Sequence, residues 1–233
     1  MQAMVATVFG PLGIVSATLA RDFFFEAQVE HETTFLNPIS VDDLPHQFVF
    51  WERYVLLYGY MNQYSFESKI QIAFSALMSR WDYMPKIQEF MPYLKKMIID
   101  EKIQIIGIMS AYEECEGLNI PYVYQILGES ICRINTDSDG KVIFNCAYLE
   151  TEPCVGKLFQ PTRIQNGNIW ENTRGVRPRC DLYSIKKSLD LCRFMLRTGY
   201  YAENVNMASC DTPLSADVAI VTPESIEMKV LNI

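Results

Sequence analysis

The chain has 233 residues, of which 49% are apolar, enough for a substantial hydrophobic core in one large domain or two small ones. Its 20 basic and 28 acidic side chains give a formal net charge of −8, without long runs of one sign. This balance argues against binding to nucleic acid or to anionic membranes, and it favours a soluble cytoplasmic protein. We expect no transmembrane span, and Met4–Ala20 lacks the basic leader of a signal peptide.

The cysteine pattern predicts neither a zinc site nor a disulfide framework. The count of seven is odd, no pair has CxxC spacing, and several cysteines fall inside strand or helix patterns, so a reducing compartment is expected. The loop thiols Cys154 and Cys210 are interpreted as inert. The cysteines are Cys115, Cys132, Cys146, Cys154, Cys180, Cys192 and Cys210.

The chain has only two histidines, His31 and His46, which is too few for a histidine-rich metal site. His31 lies between Glu30 and Glu32, but side chains adjacent in an extended sequence point to different faces. No metal and no cofactor is therefore expected.

The first segments are predicted to be strands. Ala3–Phe9 and Ile14–Ala20 form the two arms of a β-hairpin around Gly10-Pro11-Leu12-Gly13. Glu26–His46 is polar and is expected to be irregular. Gln47–Tyr60 is rich in aromatic and β-branched residues, which favours one strand or a tight pair.

Two amphipathic helices are predicted next. Apolar residues in Phe66–Trp81 fall on one helical stripe, with Ser65 as the N-cap. The second helix begins near Pro85, a suitable first-turn proline, and we expect a kink or a break at Pro92. Helices that are apolar on one side only belong on the outside of a layered structure.

A strand meander follows the helices. Lys102–Ala111 is apolar on both parities, as expected of a strand covered on both faces, and Glu113–Gly117 is predicted to be a turn. Tyr122–Ile134 resumes extended character. Asn135–Gly140 is the strongest turn signal in the chain, and Val142–Leu149 is predicted as a further strand.

The last third begins with a long connection, Glu150–Cys180, which is rich in Pro and Gly. It contains either a short hairpin around Asn166-Gly167 or a functional loop. A helix is predicted over Ile185–Gly199, with the glycine as C-cap, and Ser184 or Asp181 can cap its start. The final strand pair comprises the segments Asp217–Thr222 and Ile226–Leu231.

This order of elements resembles the αββα sandwich of the N-terminal-nucleophile hydrolases, in particular proteasome subunits and their bacterial relatives. The resemblance implies one α+β domain over residues 1–233, in which two mostly antiparallel sheets stack and helices flank them. The matching segments are Gly13–Arg21 for the second strand, Val55–Tyr60 for the strand before the first helix, Ile105–Tyr112 with Tyr122–Ile126 for the central hairpin, and Tyr183–Asn204 with Ala216–Leu231 for the last helix and closing strands.

The chemistry of that family needs an N-terminal Thr, Ser or Cys whose own amine is the base, with an Asp and a Lys nearby. Placing Gly13 on the family's turn glycine puts Ala3 in the nucleophile position and Leu19 in the Asp position. The first lysine is Lys69, too far along the chain, and Arg21 alone matches. The resemblance therefore implies a degenerate active site and a structural or assembling subunit.

An active amidohydrolase is the alternative within the same resemblance. Cleavage between Ala6 and Thr7 would free a threonine amine, with Asp22 as the acid and Arg21 beside it. Thr7 is also an ordinary residue for a strand interior, since β-branched side chains favour strands.

A third hypothesis is a ligand-binding or protein-binding module. The basic residues of the long connection, with one tryptophan among them, could hold an acidic peptide, a phosphate or a partner subunit, or could simply form an exposed loop. With 13 Tyr, 3 Trp, 13 Phe and 11 Met, the chain has the composition of subunit contacts as well as of a core, so self-association or assembly with related subunits is expected. The candidate binding residues are Arg163, Trp170, Arg174, Arg177 and Arg179.

Overall fold

The structure, a computed structural model, describes residues 5–20, 46–51, 54–60, 79, 85–103, 105–149, 154–159, 163–166, 169–172, 175–203 and 215–233. Over these ranges the chain is mixed α+β and consists mostly of strands. The strands are β1 Val5–Gly10, β2 Gly13–Ala20, β3 His46–Trp51, β4 Tyr54–Tyr60, β5 Ile105–Cys115, β6 Leu118–Leu127, β7 Ser130–Arg133, β8 Cys146–Leu149, β9 Arg163–Asn166, β10 Ile169–Asn172, β11 Ser215–Val221 and β12 Ile226–Asn232. The helices are α1 Ile87–Asp100, α2 Cys154–Phe159 and α3 Ile185–Glu203, and Cys180–Leu182 forms a 3-10 turn.

The strands form two five-stranded sheets and one small ribbon. Sheet 1 has the order β12-β11-β2-β1-β8, sheet 2 has the order β3-β4-β5-β6-β7, and β9 pairs with β10 alone. Neighbouring strands run antiparallel in both sheets. The expected α+β class with two antiparallel sheets is confirmed.

Buried side chains of sheet 1 contact those of sheet 2. On β1, Val5 and Phe9 face sheet 2, whereas Ala6 and Val8 point to the opposite face, as the two-residue period of a strand requires. The side chains that pack between the sheets are here called the intersheet cluster. Its buried members are Val5, Phe9, Ile14, Val55, Leu57, Ile108, Tyr112, Val123, Ala147, Leu149, Ala219 and Val221.

The opposite face of each sheet packs against a helix. The apolar stripe of α1 is buried against sheet 2, where the rings of Phe90 and Tyr54 lie 5.8 Å apart. Cys192, Met195 and Leu196 of α3 are buried in a cluster with sheet 1 residues. The apolar stripe predicted for the second helix, which is α1, is therefore confirmed. Its buried members are Ile87, Phe90, Met91, Leu94 and Ile98.

A carboxylate from sheet 2 caps the start of α1. Glu113, on β5, accepts hydrogen bonds from the backbone N–H of Ile87 and from the Tyr54 hydroxyl. An anion at this end also complements the helix dipole. Of the kink or break expected at Pro92, the break is wrong, because α1 continues to Asp100. Burial of the apolar stripe outweighs the roughly 3 kcal/mol that a proline costs inside a helix.

The meander differs from expectation in where its turns lie. β5 runs from Ile105 to Cys115, so most of the predicted turn belongs to the strand. The chain reverses at Glu116-Gly117, with φ values of 53° and 77°, and a pair of positive φ angles is typical of a tight hairpin turn. Tyr122–Ile134 was predicted as one extended segment, but Gly128-Glu129 separates β6 from β7 within it.

Several shorter predictions are confirmed. The first hairpin is present as β1 and β2, Gln47–Tyr60 is the tight pair β3–β4, and the closing strands are β11 and β12. The long connection contains the hairpin β9–β10, with Ile169 opposite Asn166. Ser184 is the N-cap of α3, since its hydroxyl accepts from the Lys187 N–H at 3.3 Å.

Other predictions are wrong, or they concern residues that the structure does not describe. α3 continues through Gly199 to Glu203, so the glycine is not a C-cap. The short helix α2 was not predicted, and β8 is shorter than expected because Val142 instead forms an isolated bridge with Thr136. The predicted helix Phe66–Trp81 lies outside the described residues apart from position 79, and so does the polar stretch 26–45.

Candidate functional site

Three buried hydroxyls form a chain between the two sheets. The Oγ1 atom of Thr7, on β1, lies 3.1 Å from the Oγ atom of Ser16, on β2. The Ser16 Oγ atom lies 3.3 Å from the Oγ atom of Ser110, which belongs to β5 in sheet 2. All three residues are completely buried. Because a buried hydroxyl is costly without a partner, the Ser16–Ser110 contact favours one relative position of the two sheets.

Thr7 lies in the interior of β1, and the chain before it is already part of sheet 1. Val5 pairs with Thr18 on one side and Leu149 on the other, and the preceding residue of Thr7, Ala6, also pairs on both sides. The hydrogen-bond partner of Thr7 is another hydroxyl, which is far too weak a base to activate a nucleophile at neutral pH. In the intact chain, the described contacts of Thr7 are those of a buried strand residue.

A carboxylate lies on the same face of sheet 1, beyond the hydroxyl chain. Asp217, on β11, is opposite Thr18 in the ladder with β2, and it shares its strand face with Ala219 and Val221 of the intersheet cluster. Burial raises the pKa of the Asp217 carboxyl above its ordinary value. The folded protein is therefore more stable when Asp217 carries its proton.

This raised pKa gives a stability prediction. Between the unfolded and folded pKa values the folded chain binds more protons, so the contribution of Asp217 to stability falls as the pH rises. We expect Asp217→Asn to raise the free energy of unfolding at pH 7. This gain should shrink as the pH falls through the raised pKa of the folded state, and it should be absent below the ordinary carboxyl pKa. Urea unfolding at several pH values measures it. Asp139→Asn, at an exposed position, is the matched control and should show no gain; an equal gain there would contradict the prediction.

The other residues proposed for catalysis lie outside the part of the chain that the structure describes. These are Arg21 and Asp22, and Lys69 is outside it as well. Of the predicted catalytic set, the structure therefore places Thr7 alone.

The structure describes part of the arginine-rich segment Arg163–Arg179. In the β9–β10 ribbon, Arg163 is opposite Asn172 and Trp170 is opposite Gln165, while Arg174 lies outside the described residues. The exposed guanidinium of Arg179 donates from Nε and Nη2 to the two carboxylate oxygens of Asp181, at 3.0 and 2.8 Å. Any anionic ligand would compete with this bidentate pair.

Arg177 is exposed, and it has the accessible position that a ligand-binding arginine needs. It lies two residues before Arg179, in the stretch that leads to the 3-10 turn. These two are the candidate binding residues whose side chains the structure describes.

A group of thiols was not singled out from the sequence. Cys146 on β8 and Cys180 in the 3-10 turn both pack in the cluster on the side of sheet 1 that faces α3. The thiol of Cys192, on α3, lies 3.6 Å from the carbonyl oxygen of Val15. No short-range motif joins the three cysteines, so only the fold brings them together. Cys154 begins α2, and Cys210 lies outside the described residues.

Comparisons with protein-family models and with curated proteins find no match for this chain. Within the described ranges, no group of three or more His, Cys, Asp or Glu side chains is placed to hold a metal ion. Among the helices of that same part of the chain, none has both the length and the apolar composition needed to cross a membrane.

Proposed function

We propose that the chain is a proteasome-like αββα protein with a degenerate active site, acting as a structural or assembling subunit. The contacts support a sandwich of four layers over one domain of residues 1–233. α1 packs on sheet 2, α3 packs on sheet 1, and the intersheet cluster joins the two sheets. This is the order of layers that the resemblance implies.

The observation that carries the proposal is the position of Thr7. An N-terminal nucleophile begins a chain and needs its own free amine, whereas Thr7 follows Val5 and Ala6, which are paired to β2 and to β8. Removing residues 1–6 would delete part of two strand ladders. The Thr7 hydroxyl is also hydrogen-bonded to Ser16, which is in turn hydrogen-bonded to Ser110. These contacts favour a structural role for the Thr7 hydroxyl over the catalytic role that cleavage after Ala6 would give it.

The surface of α3 supports a role in assembly. Phe194 and Tyr201 are both 51% exposed and lie seven residues apart, so they share one side of the helix. Aromatic side chains are enriched in protein–protein interfaces. This side of α3 is the contact surface that we propose for a second copy or for a related subunit.

Intact-mass measurement of the purified full-length chain tests the degenerate site. We expect the measured mass to show that Val5 and Ala6 are still present before Thr7. The mass of the Thr7→Val variant should differ from that of the native chain only by the substitution. We also expect Thr7→Val to change the free energy of unfolding by no more than about 1 kcal/mol, because Ser16 keeps Ser110 as a partner. Thr198→Val, on the exposed part of α3, is the control substitution.

The active alternative gives a different result. A chain that begins at Thr7, and hydrolysis of a fluorogenic peptide amide that Thr7→Val abolishes while Thr198→Val does not, would establish the amidohydrolase. Retention of the residues before Thr7 together with absence of hydrolysis would exclude it.

Light scattering after size exclusion tests the assembly role. We expect a species larger than the monomer, and Phe194→Ala with Tyr201→Ala to shift it towards the monomer. A wild-type monomer at all concentrations would reject self-assembly, and it would favour the ligand-binding module that uses Arg177 and its neighbours. Binding of an acidic peptide that is lost in Arg177→Ala would support that module.

A further inference from the structure

The exposed side of α3 carries charged and aromatic residues at a regular spacing. They follow one another at alternating steps of three and four residues, the spacing at which one side of a helix meets a second helix in a coiled coil. On the opposite side, Cys192, Met195 and Leu196 are buried in the cluster with sheet 1, so the spaced residues point away from the sheet. We call them the outer stripe of α3. Its members, all exposed, are Lys187, Asp190, Phe194, Arg197 and Tyr201.

The charges of the outer stripe are of opposite sign on the two sides of its central residue, Phe194. Asp190 lies four residues before Phe194, and Arg197 lies three residues after it. Further out, Lys187 and Tyr201 each lie seven residues from Phe194, in opposite directions. A stripe of this kind is complementary to a copy of itself turned end to end.

We infer that the partner of α3 is a second copy of this chain, bound about a two-fold axis with the two α3 helices antiparallel. The inference rests on the proposed assembly role, and it specifies the partner and the direction of the contact. Phe194 of each copy lies at the axis, and Asp190 of each copy faces Arg197 of the other. Because the contact is isologous, each ion pair occurs twice.

The charge pattern selects the antiparallel direction. Parallel helices in register would place the two copies of Asp190 side by side, and likewise the two copies of Arg197, so that like charges repel. In the antiparallel contact, Asp190 and the facing Arg197 differ in level by one residue, a rise of about 1.5 Å that a long arginine side chain spans.

The charged groups are available for this contact. The Oδ1 atom of Asp190 accepts from Arg193 Nη1 at 3.0 Å, and the Nε atom of Arg193 donates to the carbonyl of Asn232 at 3.1 Å. These bonds hold the carboxylate in place, and a carboxylate has acceptor sites for a second guanidinium. Within the described ranges, neither Lys187 nor Arg197 has an ion-pair partner.

The aromatic end of the outer stripe faces its cationic end in the same arrangement. The rings of Tyr201 and Tyr200 lie 5.6 Å apart at 76° to each other, and Tyr200 is buried, so this edge contact orients the Tyr201 ring. The antiparallel direction brings Lys187 of the other copy to the Tyr201 ring, and an ammonium group over an aromatic ring is attracted to it.

Sedimentation of two charge-reversal variants of the full-length chain, alone and mixed, tests the inference. We expect Asp190→Arg and Arg197→Asp each to raise the dissociation constant of the dimer at least about tenfold, because the two-fold axis doubles every like-charge contact. An equimolar mixture of the two variants should restore the dimer, since every arginine of one copy then faces an aspartate of the other. Both variants keep a net negative charge, so attraction between whole molecules does not explain such a rescue.

Lys96→Asp, at an exposed position of α1, is the matched control. It changes the net charge as much as Arg197→Asp does, and it should leave the dissociation constant unchanged. Circular dichroism checks that each variant is folded. If Asp190→Arg does not fold, a Lys187→Cys/Tyr201→Cys variant decides the question, because oxidation should link position 187 of one copy to position 201 of another.

The outcomes separate this inference from the proposed function. A wild-type dimer together with a mixture that stays monomeric, or a link between positions 187 of both copies, would overturn the antiparallel contact and leave the assembly role in place. A single variant that dimerises as tightly as the wild type would also overturn it. A wild-type monomer at all concentrations would reject self-assembly and this inference together.

Discussion

Replacing Phe9 with alanine is expected to lower the free energy of unfolding by about 3–5 kcal/mol, the usual cost of removing a buried aromatic ring. Phe9 is completely buried in the intersheet cluster, with Ile14 opposite it on β2 and Val221 nearby on β11. The ring fills space between two sheets that both face it, and the remaining β-structure cannot collapse around the cavity without moving one sheet. Urea unfolding followed by circular dichroism measures the loss.

Leu118→Ala is the control, because it removes an apolar side chain that is 68% exposed and lies outside the proposed assembly surface. We expect this control to change the free energy of unfolding by less than about 1 kcal/mol. If Phe9→Ala does not fold, Phe9→Leu should still fold with a smaller loss. Equal effects at Phe9 and Leu118 would contradict the contact between the sheets.

Replacing Asn135 with alanine is expected to cost about 2–4 kcal/mol, because its buried side chain satisfies several polar groups at once. Its Oδ1 atom accepts from the Val123 N–H at 3.0 Å and from Arg133 Nε at 3.1 Å. Its Nδ2 atom donates to the carbonyl of Pro121 at 2.8 Å. Alanine would leave the buried N–H of Val123 without that acceptor, and Pro121 would keep the Arg133 guanidinium as its donor.

Asn119→Ala, at an exposed position of β6, is the control and should change stability by less than about 0.5 kcal/mol. Thermal unfolding of both variants gives the comparison. A loss at Asn135 no larger than at Asn119 would show that these hydrogen bonds do not stabilise the protein.

Local patterns predicted those parts of the fold that depend on neighbours in sequence. The hairpin around Pro11-Leu12 follows from two apolar runs separated by turn residues, and the stripe of α1 follows from its helical period. The end of α3 could not be predicted in this way. Gly199 signals a C-cap locally, but burial of Tyr200 just beyond it favours continuing the helix. The cost of an internal glycine is only about 1 kcal/mol.

The contacts of the candidate site join residues that are remote in sequence, so local patterns do not predict them. Ser16 and Ser110 are 94 positions apart, and no feature of either segment predicts that they meet. Cys146 and Cys180 are also far apart in sequence, although they pack in one cluster. Hairpin register places Thr7 opposite Ser16 on one face of sheet 1, but the contact of Ser16 with Ser110 depends on how the sheets stack. Predicting these contacts requires the topology.

β12 ends sheet 1 and leaves one row of backbone N–H and C=O groups without a neighbouring described strand. Such a row is a template on which other chains can add strands and grow into fibrils. Charge on the strand opposes this, since Glu227 and Lys229 are exposed and form an ion pair at 2.9 Å. Substituting both with valine would make Ile226–Leu231 an unbroken apolar run, and uncharged segments of this length and β-propensity form amyloid. These two surface charges add little to the stability of the fold, but they oppose the addition of another strand at this edge.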